Sequence, residues 1–192
     1  MDLQTLIAQR VRQLRLDRQY SLDDLAGRSG VSRSSISLIE RGQSSPSAVV
    51  LDKLATALGV VLASLFEPQA AAAPSPLTRR AGQAVWTDPA SGYQRRQLSP
   101  TTDSPLQLVE VLFPPGQRVA LESAARETGL HQQIWVLEGC IHITLGDAPA
   151  WALEAGDCLA MRLNQPILFH NPTDQATRYL VAVVSLPAPR QP

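Results

Sequence analysis

Cysteine is scarce in this chain. Cys140 and Cys158 are the only two in 192 residues, and their separation makes no metal-binding pair. They read either as small hydrophobes in a reducing compartment or as redox sensors. Long apolar runs are missing as well, which excludes a bilayer-spanning helix. The opening segment MDLQTLIAQR mixes acid, amide and base in an amphipathic pattern, so no signal peptide is expected and the expected location is the cytoplasm. Nor is there an excess of either charge: 17 Lys and Arg balance 17 Asp and Glu. Residues 1–67 hold eight basic against seven acidic side chains, and residues 81–192 hold seven against ten. Adhesion to a polyanion by bulk charge is therefore excluded, and any such affinity must come from a local patch such as Arg28, Arg33 and Arg41.

What the chain does contain is the stretch Ser21 to Gly42, SLDDLAGRSGVSRSSISLIERG, which reads as two short amphipathic helices joined by a tight turn. Ser21 is a candidate N-cap, Asp23 and Asp24 suit a first helical turn, and Leu22 and Leu25 form an apolar stripe. Ala26 is small enough for close helix crossing, Gly30 suits a left-handed reversal, and Val31 fills the space between the helices. Ser32 caps a second helix whose Ile36 and Ile39 face inward, leaving Arg33, Ser34, Ser37 and Leu38 on the open side.

Around this stretch, Leu3, Leu6, Ile7, Val11 and Leu14 predict a first helix from residue 3 to about residue 19. After a turn at Ser45, Pro46 and Ser47, the residues Val50, Leu51, Leu54, Ala55 and Leu58 predict another that ends near Gly59. Val61, Leu62, Leu65 and Phe66 predict a short fifth. Residues 3–66 resemble the DNA-binding domain of the XRE (phage-repressor-like) regulators. The resemblance implies that the helix opened by Ser32 enters the major groove of double-stranded DNA and that Arg15 pairs with Glu40. On this reading Ser32, Ser35, backbone N–H groups, Arg28, Arg41 and Gln43 hold phosphates. Arg33 and Ser34, with Ser37 and Leu38 beside them, reach base edges. A homodimer on a roughly palindromic operator is expected.

The segment PQAAAAPSPLTRR reads as an exposed linker, after which the periodicity changes. Strand-like segments (93–98, 106–113, 118–121, 134–137, 141–145, 158–162, 167–170 and 178–184) alternate with turn signals such as Pro114-Pro115-Gly116, Glu138-Gly139, Gly146-Asp147 and Gly156-Asp157. The expected fold is thus multidomain: an all-α five-helix domain (1–67), an Ala/Pro-rich linker (68–81) and an all-β barrel (82–188). The order FPPGQRV, IWVLEGCIHITLG, LEAGDCLAMR, LFHNP resembles the cupin family, a small jelly-roll barrel. Aligned on Val136-Leu137-Glu138-Gly139 and on Pro166 with Asn171, the places where cupin enzymes carry metal ligands fall on Arg126, Thr128, Gln132 and Ile167. None of these four suits iron, manganese or zinc. Sliding the alignment by one residue to recruit Glu127 and His131 would choose side chains of the opposite strand face. No metal, cofactor or catalytic residue is expected.

Arg126, Gln132 and Ile167 remain as a candidate pocket for a small polar or anionic effector; the alternative is that the barrel serves only for packing or dimerisation. Trp135 and Leu137 oppose Ile134 and Val136, which predicts burial on both faces of that strand. The expected function is a sequence-specific transcriptional regulator rather than an enzyme. The alternative is a metal-dependent dioxygenase or isomerase with a helical accessory domain.

Overall fold

The computed structural model describes residues 3–60, 62–66, 75–102, 104–122 and 129–186. Four α-helices come first: α1 (Leu3–Asp17), α2 (Leu22–Ser29), α3 (Arg33–Glu40) and α4 (Ala48–Ala57). The expected fifth helix is instead a single 3-10 turn, Leu62–Phe66. At five residues the segment is of the short length that 3-10 geometry serves, and the tighter turn still buries Leu62, Ala63, Leu65 and Phe66. The helical core is formed by Ile7, Val11, Leu25, Ile36, Leu51, Leu54 and Leu58, all no more than 1% exposed. Of the segment read as a linker, residues 68–74 lie outside the described residues, and Arg80–Gly82 forms a second 3-10 turn.

Ten strands follow: β1 (Val85–Thr87), β2 (Gln94–Gln97), β3 (Leu106–Phe113), β4 (Arg118–Leu121), β5 (Gly129–Glu138), β6 (Cys140–Leu145), β7 (Trp151–Glu154), β8 (Cys158–Arg162), β9 (Ile167–His170) and β10 (Thr177–Leu186). They build two antiparallel sheets, β1-β2-β3-β10-β5-β8 and β4-β9-β6-β7, the architecture expected of a cupin-like barrel. Alternation sends Val109, Val111, Ile134, Val136, Tyr179 and Val181 inward from the first sheet, and Val119, Ile141, Ile143, Ile167 and Phe169 inward from the second. Within this one chain β5 is buried on one face only: Ile134 and Val136 are inaccessible, whereas Trp135 is 49% exposed. Both cysteines are free, Cys140 half-buried and Cys158 exposed, so Cys158 is not the buried hydrophobe that was one reading of it. Burial, then the nearby Glu154 carboxylate, pushes the Cys140 thiol up and makes it a poorer nucleophile.

The two halves share a packed seam. Phe66, Trp86, Tyr93 and Phe113 form a line of rings from the 3-10 turn into the barrel, with successive centroids 5.5, 5.6 and 5.6 Å apart. Asp88, 2% exposed, accepts a 3.0 Å hydrogen bond from the Ala48 N–H. A carboxylate of the barrel half thus sits at the N-terminus of α4, where the helix dipole favours negative charge. Asp88 also accepts from Ser91 N–H at 3.0 Å and from the Ser91 hydroxyl.

Candidate nucleic-acid interface

Short local hydrogen bonds set the geometry of α2 and α3. Ser21 Oγ accepts from Asp24 N–H at 3.0 Å while the Asp24 carboxylate accepts from Ser21 N–H at 2.8 Å, a reciprocal capping box. The Ser21 bonds hold the Asp24 carboxyl below the usual carboxylate range. Gly30 stands at φ +67°, and its N–H donates to Ala26 O at 2.9 Å, ending α2 as the sequence predicted. Buried Ser29 adds what sequence reading missed: its hydroxyl donates to Leu25 O at 2.7 Å and accepts from Val31 N–H at 3.2 Å. One side chain therefore binds the last turn of α2 to the middle residue of the connection.

Ser32 caps α3, accepting from Ser35 N–H at 3.1 Å. Ile36 and Ile39 are buried, while Ser32, Arg33, Ser34 and Ser35 are exposed, Ser37 is half-buried and Leu38 is 39% exposed. The candidate contact residues consequently form one solvent-facing edge of α3. Arg33 Nε lies 3.3 Å from Asp23 Oδ1 with both side chains mostly exposed, a pairing weak enough for a phosphate or base edge to replace. Arg41 and Gln43 are exposed just past α3, and the Gly42 carbonyl between them accepts from Gln4 Nε2 at 3.1 Å. Arg28 sits apart from this edge, on α2, with its guanidinium 4.5 Å from the centre of the Tyr20 ring.

A buried ion pair fixes α3 to α1. Arg15 donates from Nε and Nη2 to the two Glu40 oxygens at 2.7 and 2.8 Å, and from Nη1 to Tyr20 O at 2.9 Å. The two side chains are only 11% and 7% exposed. The Glu40 hydrogen bonds push the Arg15 pKa up, so the cation is permanent.

The barrel holds a narrow, partly open cavity of about 50 Å³. Gln132 and Ile167 line it as the sequence indicated, with Gln132 Nε2 3.9 Å from Met161 Sδ; Arg126, Glu127 and Thr128 lie outside the described residues. Sequence reading missed the other polar groups. Tyr93 and Tyr179, their hydroxyls pushed well up by burial, and Arg95 line it, and Asp52, Leu62 and Ala63 of the helical half form one wall. No local pattern marks residues brought together from opposite ends of a chain. Among the described residues no group of three or more His, Cys, Asp or Glu side chains is placed to share a metal ion. His131 is exposed on the outer face of β5, as expected. His142 and His170 pair across β6 and β9 with ring centroids 6.0 Å apart, on the outward face of the smaller sheet.

Comparison with known proteins agrees with this geometry. A helix-turn-helix family model matches residues 11–64. The HTH-type transcriptional regulator SutR of Escherichia coli is 38% identical over 74 residues, which are 38% of this chain and 42% of SutR. The uncharacterized HTH-type transcriptional regulator y4dJ of Sinorhizobium fredii is 34% identical over 68 residues, 35% of this chain and 88% of that protein. The crystal structure of an HTH_3 family transcriptional regulator from Vibrio cholerae superposes with a TM-score of 0.73 at 25% identity, covering 97% of this chain and 98% of that one. This chain spans about half the length of the first curated relatives it matches. Among the described residues no helix is long and apolar enough to cross a membrane.

Proposed function

Because the chain belongs to the helix-turn-helix (XRE-type) family of transcriptional regulators, we propose that it binds double-stranded operator DNA through α3 and adjusts that binding through its barrel. The observation that carries the reading is the exposed edge of α3 from Ser32 to Leu38, backed by buried Ile36 and Ile39 and anchored by the Arg15–Glu40 pair. Ser32 and Ser35, free backbone N–H groups at the start of α3, Arg28, Arg41 and Gln43 contact phosphates and set register. Arg33 and Ser34 read base edges, with Ser37 at their flank and Leu38 against a thymine methyl.

Two copies on a palindromic site place their recognition helices about 34 Å apart, with Trp135, exposed on β5, in the interface between copies. The cytoplasm is the compartment this activity requires. The barrel is a sensor rather than an enzyme. A small polar molecule in its cavity meets the Gln132 amide, the Arg95 guanidinium and a wall contributed by α4. It shifts DNA affinity by binding one arrangement of the two halves better than the other.

Selection from a duplex library followed by Arg33→Ala tests the proposal. The substitution is expected to cost about 1–3 kcal/mol on the selected site and little on random DNA. Equal loss on both would remove Arg33 from base reading, and failure to enrich any sequence would sink the proposal.

A further inference from the structure

The outward face of the larger sheet carries a second concavity. Cross-strand registers align Val85, Arg96, Glu110 and Leu180 in one row from β1 to β10, and Gln94, Leu112 and Arg178 in the next. These side chains point away from Val109, Val111 and Tyr179, which face the core. Between the rows, and under Arg80 of the second 3-10 turn, lies a surface pocket of about 230 Å³. The sheet itself separates it from the barrel cavity.

The charge of this pocket is unbalanced. Arg80, Arg96 and Arg178 line it with a single acid, Glu110. Glu110 is already shared, 3.3 Å from Arg96 Nε and 3.1 Å from Arg178 Nη1, and Arg178 Nη2 is taken by Glu138. Arg96 meets Glu110 through Nε, and one carboxylate shared between two guanidiniums cannot occupy the five N–H donors that each carries; Arg80 has no ion-pair partner among the described residues. Planar guanidinium donors left over in this way suit a carboxylate. The floor is apolar and open: Leu112 is 40% and Val85 37% exposed.

We infer that this pocket binds a small amphiphilic carboxylate, its head on Arg80 and the spare donors of Arg96 and its short hydrocarbon tail over Leu112 and Val85. The site is independent of the proposed barrel cavity, and its test does not require DNA. Hexanoate and acetate are titrated into the full chain at constant ionic strength, following arginine Nε–H resonances by NMR. Saturable shifts are expected at Arg80 and Arg96, with hexanoate about tenfold tighter than acetate because its extra methylenes leave water. Arg80→Gln weakens hexanoate about fivefold or more by removing one of the two head-group partners. Leu112→Ser erases the preference for hexanoate over acetate. Both substituted side chains are on the surface, so both variants keep the wild-type spectrum elsewhere. Shifts that rise linearly without saturating, equal affinity for the two anions, or hexanoate binding unchanged by Arg80→Gln would each overturn the inference.

Discussion

Removing one member of the Arg15–Glu40 pair should cost far more than removing both. With side chains 11% and 7% exposed, each charge has lost most of its water and depends on the other. Glu40→Leu strands the Arg15 guanidinium with only the Tyr20 carbonyl as acceptor; Arg15→Met strands the Glu40 carboxylate. Either single change is expected to cost about 3–5 kcal/mol, the range for an uncompensated buried charge. The double variant Arg15→Met/Glu40→Leu replaces the pair with apolar side chains of similar reach. Its expected cost is about 1–2 kcal/mol, mostly the Tyr20 carbonyl left without the 2.9 Å bond it now accepts from Arg15. Urea denaturation of the four proteins at pH 7, followed by far-UV circular dichroism, completes the cycle, with an expected coupling of roughly 4 kcal/mol or more. If the double variant loses the sum of the single losses to within about 0.5 kcal/mol, the two residues are independent. The account of how α3 is fixed to α1 then fails.

Gly139→Ala should destabilise the barrel by about 2 kcal/mol or more in the same denaturation assay. Gly139 has φ +79°, and an added Cβ would lie 3.0 Å from Ala176 O and Thr177 Oγ1. Asp88→Ala should cost about 1–3 kcal/mol by leaving Ala48 N–H without its acceptor, and hydrogen exchange should accelerate at Ala48 while α1 amides keep their protection. Burial first, then Arg118 and His142, holds the His170 pKa below its ordinary 6.5, so the fold favours the neutral ring. Stability from this source is full above about pH 6.5 and is lost as pH falls toward the lowered folded-state value. His170→Gln should flatten the decline of the urea midpoint between pH 7 and pH 5, and an unchanged slope would remove His170 as its source.

The helical half was legible because its signals are local. Ser21, Ser32 and Ser47 each announce a helix start by a hydrogen bond spanning three residues, and Gly30 announces a stop by a conformation that costs other residues free energy. The expected fifth helix is a 3-10 turn because an apolar stripe over four or five residues satisfies α and 3-10 geometry equally. Strands β3, β4, β8 and β9 carried their limits in turn residues and alternation. Strands β1 and β7 carried neither: each is three or four residues long, and Val85 and Trp151 are 37% and 55% exposed. At the sites the same division holds. The exposed edge of α3 follows from helical periodicity, whereas Asp52, Arg95 and Tyr93 meet only after the helices pack on the barrel.

That packing gives the proposed sensor its physical basis. A ligand confined to a barrel with its own closed wall would have no free energy to exchange with a distant helix. Here α4 and the 3-10 turn supply part of the cavity wall beside the strands, so an occupant that presses on that wall acts on both halves. The seam between them is strong in places and deficient in one. Asp88 and the edge-to-face contact of Phe66 with Trp86 hold it, while the buried Trp86 indole N–H has no hydrogen-bond partner among the described residues, a cost of about 1–3 kcal/mol. An opened seam that let water reach this indole would recover part of that cost and narrow the gap between closed and open arrangements. On the proposed reading, a ligand that binds the open arrangement better shifts the population toward it by that differential affinity, and α4, which packs on α2, would link the shift to the recognition helix.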